Sequence, residues 1–302
     1  MSSKHAPVMV KPGIGYFPGS VNIGLVLGNN GAIIIDSGLD AQTAKKIKKG
    51  LDELAQPLQA IVQTHAHADH FGGNAQLLSV FPEAQVYAPP LEEAIIRYPV
   101  LEPIYLGMGA APMPELTNKF LMAEGSRVDA LLPLEGDIKI DGILFHTISL
   151  PGHSWQQVGV IVEDICFAAD GYFGADTLAK HKLPFLIDAH DTLLSLVKLL
   201  ESNYEGYLPG HGPYEQSIER TITQNIHCHR RILDKIEALL AREELSLEQG
   251  LAALCTQLEI QIDNMTSYVL YRTAYMGYLI GLYREERITY RFHDNQLLWK
   301  KR

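Results

Sequence analysis

The sequence predicts an α/β protein: a layered domain over residues 1–215 followed by a small, mostly helical domain over residues 216–302. Three observations carry this. Short apolar strand patterns alternate with helical ones through the first half, as in layered α/β architectures. A run of four metal-ligand types, His65, His67, Asp69 and His70, follows directly on one of those strands. After Pro213 the strand patterns give way to long helical stretches.

The elements follow in order. Residues 22–27 and 32–35 read as two strands joined by Gly28-Asn29-Asn30-Gly31, a hairpin signal. Asp36-Ser37-Gly38 ends the second strand. Residues 40–56 form an amphipathic helix with Asp40 as its cap and Pro57 beyond its end. Residues 60–63 are a short buried strand running straight into Thr64-His65-Ala66-His67-Ala68-Asp69-His70. Gly72-Gly73 opens another helix to about Val80, and residues 85–87 make a further strand. Residues 89–135 break the rhythm with seven prolines and several glycines. Their length is unusual for a connection, and they read as an insertion with short helices. Strands return at 142–150, 158–162 and 165–169, then a helix at 188–202 and a last strand at 204–208 leading to Pro209-Gly210-His211-Gly212. Helices are expected over 213–241, 245–258 and 264–284. The end, ITYRFHDNQLLWKK, reads as a hairpin, so the tail resembles a winged-helix-like module.

Composition narrows the function classes. The net charge of −10 arises in residues 1–225, which carry 14 Lys/Arg against 25 Asp/Glu, while residues 226–302 carry 11 against 10. Such a surface repels nucleic acid and anionic membrane. The tail is nearly neutral: Arg284, Arg287, Arg291, Lys300, Lys301 and Arg302 interleave with Glu285, Glu286 and Asp294, which reads as a solvated face or a homodimer contact. Cys166, Cys228 and Cys255 form no C-x-x-C pair and read as core residues. No apolar leader and no run of 18 apolar residues is seen, so a cytoplasmic protein is expected.

Histidine and carboxylate suit zinc, iron and manganese. In a strand, positions 65, 67 and 69 would share one face and His70 would not. The segment must therefore leave the strand and curl for all four to meet, with Gly72-Gly73 as permissive backbone. His153 in LPGHS, Asp170 in CFAADGYF and His211 in LPGHG are weak signals singly, but each stands at the end of an apolar strand, where α/β sheets present their sites. His5, His146, His181, His190, His227, His229 and His293 lack ligand spacing with the cluster.

THAHADHFGG, with IIIDSG before it and LPGHS, CFAADG and LPGHG after it in order, resembles the signature of the metallo-β-lactamase superfamily. The resemblance spans residues 36–211 and implies a four-layer αβ/βα sandwich with metals at one edge of two facing sheets. It implies that Asp36 supports the metal loop without binding metal. It further implies that His65, His67 and His153 hold one ion, that Asp69, His70 and His211 hold a second, and that Asp170 bridges the two.

Two divalent ions, zinc foremost and iron or manganese as alternatives, would hold a bridging hydroxide that attacks a carbonyl or phosphorus, with Asp69 relaying a proton. The bridging Asp170 argues against a true β-lactamase. The resemblance to glyoxalase II rests on THAHADHFGG alone, and lactonases share the seven ligands. The expected reaction is hydrolysis of a small ester, thioester or lactone. A mononuclear iron enzyme resembling persulfide dioxygenases is the second reading, and a ribonuclease or phosphodiesterase the third. Met108, Met113, Met122, Tyr98, Tyr105 and Phe120 of the insertion either wall an apolar substrate pocket or pack as an ordinary inserted helix pair.

Overall fold

Both faces of the strand that runs into Asp36 are buried, and this explains why its sequence, AIII, lacks alternation. The computed structural model describes residues 5–302. Its first sheet has the order β1 (Val8–Lys11), β2 (Ile14–Phe17), β3 (Ile23–Leu27), β4 (Ala32–Ile35), β5 (Leu58–Val62), β6 (Gln85–Ala88) and β7 (Ala130–Leu131). Pairing is antiparallel from β1 to β4 and parallel from β4 to β7. The parallel crossovers use α1 (Ala41–Glu53), then α2 (Ala68–Phe71) with α3 (Asn74–Val80), then α4 (Pro90–Arg97) and α5 (Leu101–Leu106). The second sheet contains β8 (Gly136–Ile140), β9 (Ile143–Ser149), β10 (Val158–Val162), β11 (Ile165–Ala169) and β12 (Gly206–Pro209), in the order β12-β11-β10-β9-β8.

The core follows from this layering. Ala32 and Ile34 of β4 join Ala44, Ile47 and Leu51 of α1 and Leu77 of α3 on one face of the first sheet. Ile33 and Ile35 point the other way and meet Phe145, Val160, Val162 and Phe167 of the second sheet. The chain thus stacks helix, sheet and sheet. Asp40 caps α1 by accepting from the amides of Gln42 (3.0 Å) and Thr43 (3.2 Å), a contribution of about 1 kcal/mol.

The fold departs from expectation in several places. β1, β2 and β8 were not anticipated, and neither was the helix α6 (Ala175–Lys180). The insertion is partly ordered as α4, α5 and a 3-10 turn over Pro114–Leu116, and it supplies the edge strand β7. Helix is absent from 213–218, where Glu215 instead bridges Tyr207 antiparallel.

The chain forms two compact units. The sheets and α1–α5 lie in the first, which comprises the described residues 5–149, 156–170 and 204–217. The second comprises residues 150–155, 171–203 and 218–302. It contains α6, α7 (Ala189–Glu201), α8 (Glu219–Leu240), α9 (Leu247–Gln257), α10 (Met265–Arg284) and the hairpin β13 (Ile288–His293) with β14 (Gln296–Lys301). Ile232, Leu233 and Ile236 of α8 pack with Leu254, Tyr275, Tyr278 and Leu282 and with Trp299 of the hairpin. The hairpin turns at Asp294-Asn295, both left-handed, as a tight two-residue turn requires. The basic residues of the tail are ion-paired within this unit: Arg284 with Asp188 and Asp191, Arg287 with Asp234 and Glu237, Arg291 and Lys300 with Glu244, Lys301 with Glu237, and Arg302 with Glu286. The three cysteines are buried thiols. Among the described residues no helix is long and apolar enough to cross a membrane.

Candidate metal centre

The ligand-rich segment leaves β5 at Val62, bends at Thr64 and, from an extended His67, curls into the single turn of α2. That turn brings His70 to the same side as the residues before it. The curl is held from outside. The His70 carbonyl accepts from the amides of Ser37 (2.7 Å) and Gly38 (3.2 Å), which ties it to the loop after β4. Gly72 and Gly73 have ordinary helical backbone angles, so the conformational licence expected of them is not the reason for glycine. Close approach is the reason: a Cβ would lie 2.0 Å from the Leu39 carbonyl oxygen at Gly72 and 2.3 Å from that of Ser37 at Gly73.

Asp36 is the anchor of this arrangement. Its backbone is left-handed (φ 64°), a strained conformation that Asp tolerates better than most residues. Its carboxylate accepts from the Thr64 amide (2.9 Å) and hydroxyl (2.9 Å) and faces His70 Nδ1 at 2.7 Å. The Nδ1 proton of His70 is thereby committed to Asp36, so Nε2 is the nitrogen that would give up its proton and offer a lone pair to a cation. His70 Nε2 is buried, makes no hydrogen bond and lies 3.3 Å from Asp170 Oδ1. A buried imidazole nitrogen held this way is a ready metal donor. His211 is oriented similarly: Nδ1 donates to the Ser20 carbonyl (2.8 Å), while Nε2 faces Asp69 Oδ2 (3.3 Å) and Asp170 Oδ2 (3.6 Å).

Donor atoms of His65, His70 and Asp170 lie within 4.8 Å of one another, as do those of Asp69, His70 and His211. His65 Nε2 is 3.1 Å from His67 Nδ1. The mixture of imidazole and carboxylate fits zinc, iron or manganese. Six of the seven expected ligands belong to the first unit. His153 belongs to the second, where it is buried and its Nδ1 donates to the Phe185 carbonyl at 3.2 Å.

Two devices at the ends of β11 and β12 aim Asp170. The pairing register slips between Phe167 and Ala169, and Ala169 is left-handed (φ 47°), so the strand turns just before the carboxylate. Gly210 then lets the opposite loop close in, for a Cβ there would stand 2.3 Å from Asp170 Oδ1 and 2.8 Å from His70 Cε1. Asn22 fixes that loop by donating to the carbonyls of Pro209 (3.0 Å) and Gly212 (2.7 Å).

The charges reinforce one another. Burial works against a charged His70, yet the carboxylates of Asp170, Asp36 and Asp69 hold its pKa well above the usual histidine value. Burial opposes ionisation of Asp69, but the neighbouring His70 charge and the His211 hydrogen bond bring it down to about 2. This balance of buried carboxylates and imidazoles is suited to a cation.

Sequence reasoning missed Asn22, Thr64 and two buried glutamates, Glu92 and Glu102. Glu92 gave only the ordinary signal of an acid in a first helical turn. Glu102 carries a carboxyl pushed well above its usual range by burial and by the charges of Asp69 and Glu92. Of the six insertion side chains expected to wall a pocket or to pack, Tyr98, Met108, Met113 and Phe120 are exposed.

The model of the metallo-β-lactamase superfamily matches residues 16–211, a span that takes in all seven expected ligands. Curated relatives include a hydroxyacylglutathione hydrolase of Vibrio campbellii, 28% identical over 137 residues, which are 45% of this chain and 42% of that one. A second, from Xanthomonas campestris, is 29% identical over 57% of this chain and 54% of its own length. The matches thus span about half the length of these relatives. Haemophilus influenzae hydroxyacylglutathione hydrolase GloC is 27% identical over 61% of this chain and 81% of its own. Among solved structures, a beta-lactamase domain protein from Burkholderia ambifaria has a TM-score of 0.75 at 15% identity, covering 100% of this chain and 96% of that one. A metallo-beta-lactamase family protein from Thermus thermophilus has a TM-score of 0.72 at 16% identity, covering 97% of this chain and 100% of that one. The family match, the shared fold and the site at the strand ends agree, and the chain belongs to the metallo-β-lactamase superfamily.

Proposed function

We propose that this chain is a metal-dependent hydrolase of a small acyl substrate, with a thioester ahead of an ester or lactone. The convergence of His65, His70, Asp170, Asp69 and His211 at one edge of the sheets carries the reading. The similarity to hydroxyacylglutathione hydrolases supports the thioester. In this reading His65, His67 and His153 would hold one divalent ion and Asp69, His70 and His211 another, with Asp170 available to both. Zinc is the first choice, and iron or manganese suit the same donors. Ions bound there would acidify a water near neutral pH and polarise the acyl oxygen.

The protein's own part is orientation and proton handling. Asp36 and the Ser20 carbonyl hold His70 and His211 by Nδ1, which leaves each Nε2 directed inward. Asp69, half-buried with its carboxylate 3.3 Å from His211 Nε2, is the group assigned in this reading to relay a proton from the incoming nucleophile. The tail's pairing of its cations leaves them ill placed to meet nucleic-acid phosphates, which favours a small substrate.

The test is metal content per chain of tag-free protein purified without chelator, followed by thioester, ester, lactone and phosphodiester panels. About two ions per chain with thioester turnover is the expected result. His67→Ala and Asp170→Ala should lose metal and activity together, and full activity in either variant would overturn the reading. About one iron per chain, with oxygen consumed on a sulfur substrate, would replace it with an oxidative reaction.

A further inference from the structure

Glu92 stands outside every motif, yet its environment is specific. It lies in the first turn of α4, at the start of the inserted segment, and its side chain is fully buried. One carboxylate oxygen accepts from the Ala66 amide at 2.9 Å, and the other accepts from the Gln156 amide at 2.8 Å. The Leu91 amide donates in return to Gln156 Oε1 at 3.0 Å, so the start of α4 is tied to residue 156 in both directions.

Ala66 is the residue between His65 and His67. It lies beyond the end of β5 and before α2, so neither a sheet ladder nor a helix supplies an acceptor for its amide. A buried amide needs one, and Glu92 provides it. Burying a carboxylate is expensive, and a neutral acceptor such as a backbone carbonyl would satisfy an amide at lower cost. The charge is better explained by what it faces: a peptide whose two flanking imidazoles must be held in register. Fixing the Ala66 peptide fixes the exit directions of both side chains, and a fixed negative charge behind them favours a cation in front.

We infer that Glu92 is a positioning residue of the metal centre, its carboxylate clamping the His65–His67 peptide, so that the inserted α4 acts as a buttress of the ligand loop. This rests on the reading of the site as a metal centre.

The test compares full-length wild type, Glu92→Gln and His67→Ala. Zinc affinity is measured by competition with a chromophoric chelator, the site is observed through cobalt(II) absorption, and unfolding is followed in excess chelator. In Glu92→Gln the amide keeps one acceptor but turns an NH2 toward the other backbone donor. The expected result is a zinc affinity about ten- to a hundredfold weaker with an altered cobalt spectrum. Should Glu92→Gln fail to fold, Glu92→Asp reads the same loss, because it keeps the charge but is one methylene too short to reach both amides. Wild-type affinity and an unchanged cobalt spectrum in the folded variants, even with lowered thermal stability, would make Glu92 merely structural and overturn the inference. If His67→Ala loses zinc while Glu92→Gln does not, only the role of Glu92 falls. If wild type itself takes no zinc or cobalt, the metal reading and this inference fall together.

Discussion

Asp36→Asn isolates the control of one imidazole tautomer. The substitution preserves shape, and Asn accepts the left-handed backbone at position 36 about as well as Asp, so little backbone cost arises. One carboxylate oxygen becomes an NH2. If that NH2 faces His70, Nδ1 must accept, and the proton moves to Nε2, the atom 3.3 Å from Asp170 Oδ1 that has to carry the lone pair. If it faces Thr64 instead, it meets the amide that Asp36 now accepts at 2.9 Å, and two donors confront each other in a buried site. The first orientation keeps the contact with its donor reversed, whereas the second forfeits one buried hydrogen bond, about 1–3 kcal/mol of stability in the metal-free protein. Zinc binding through His70 should weaken about ten- to a hundredfold, as for other groups that orient metal-bound histidines. Urea unfolding in chelator reads the first quantity and chelator competition the second. An Asp36→Asn protein that binds zinc with wild-type affinity would refute the tautomer argument.

Three further outcomes are expected. Gly210→Ala should impair metal retention, because its Cβ would lie 2.3 Å from Asp170 Oδ1; elemental analysis showing full metal content would count against the placement of that loop. Excess chelator should lower the unfolding temperature, and added zinc should raise it progressively, with a stabilisation of about 2.7 kcal/mol at a hundred times the dissociation constant; scans that ignore zinc concentration would contradict a site formed only in the folded state. His229, buried and 2.8 Å from the Tyr278 hydroxyl, has its pKa lowered to about 4, chiefly by burial. It therefore contributes stability above its ordinary value of 6.5, and that contribution is lost as pH falls from there toward 4, because the unfolded chain binds the proton first. The loss amounts to at most about 3 kcal/mol, and His229→Gln should flatten it in denaturant titrations across that range.

Much of the frame was legible because it is local. The Asp40 cap, the hairpin at Asp294-Asn295 and the contiguous cluster from His65 to His70 each announce themselves within a few residues. The strands β1 and β2 did not. VMVK and IGYF are four residues each, and no residue of β1 is fully buried, so their identity as strands comes from pairing with β3 and with each other rather than from their own pattern. The same holds for β7, two residues long and defined by its pairing with β6. Gly72 and Gly73 were readable as important, but the requirement is the passage of the Ser37–Leu39 backbone, which is distant in sequence.

The amino-acid sequence by itself determined which imidazoles and carboxylates are candidate donors, their order along the chain and their position at the ends of apolar strands, since these depend on residue type and short spacing. Only the tertiary structure decided which nitrogen of each imidazole faces inward and what holds the loop still. His70 is oriented by Asp36, 34 residues away, and His211 by the Ser20 carbonyl, 191 residues away. Glu92 reaches Ala66 across 26 residues and Gln156 across 64. Hydrogen bonds are short and directional, so their partners are set by where the folded backbone passes, and no local pattern encodes that.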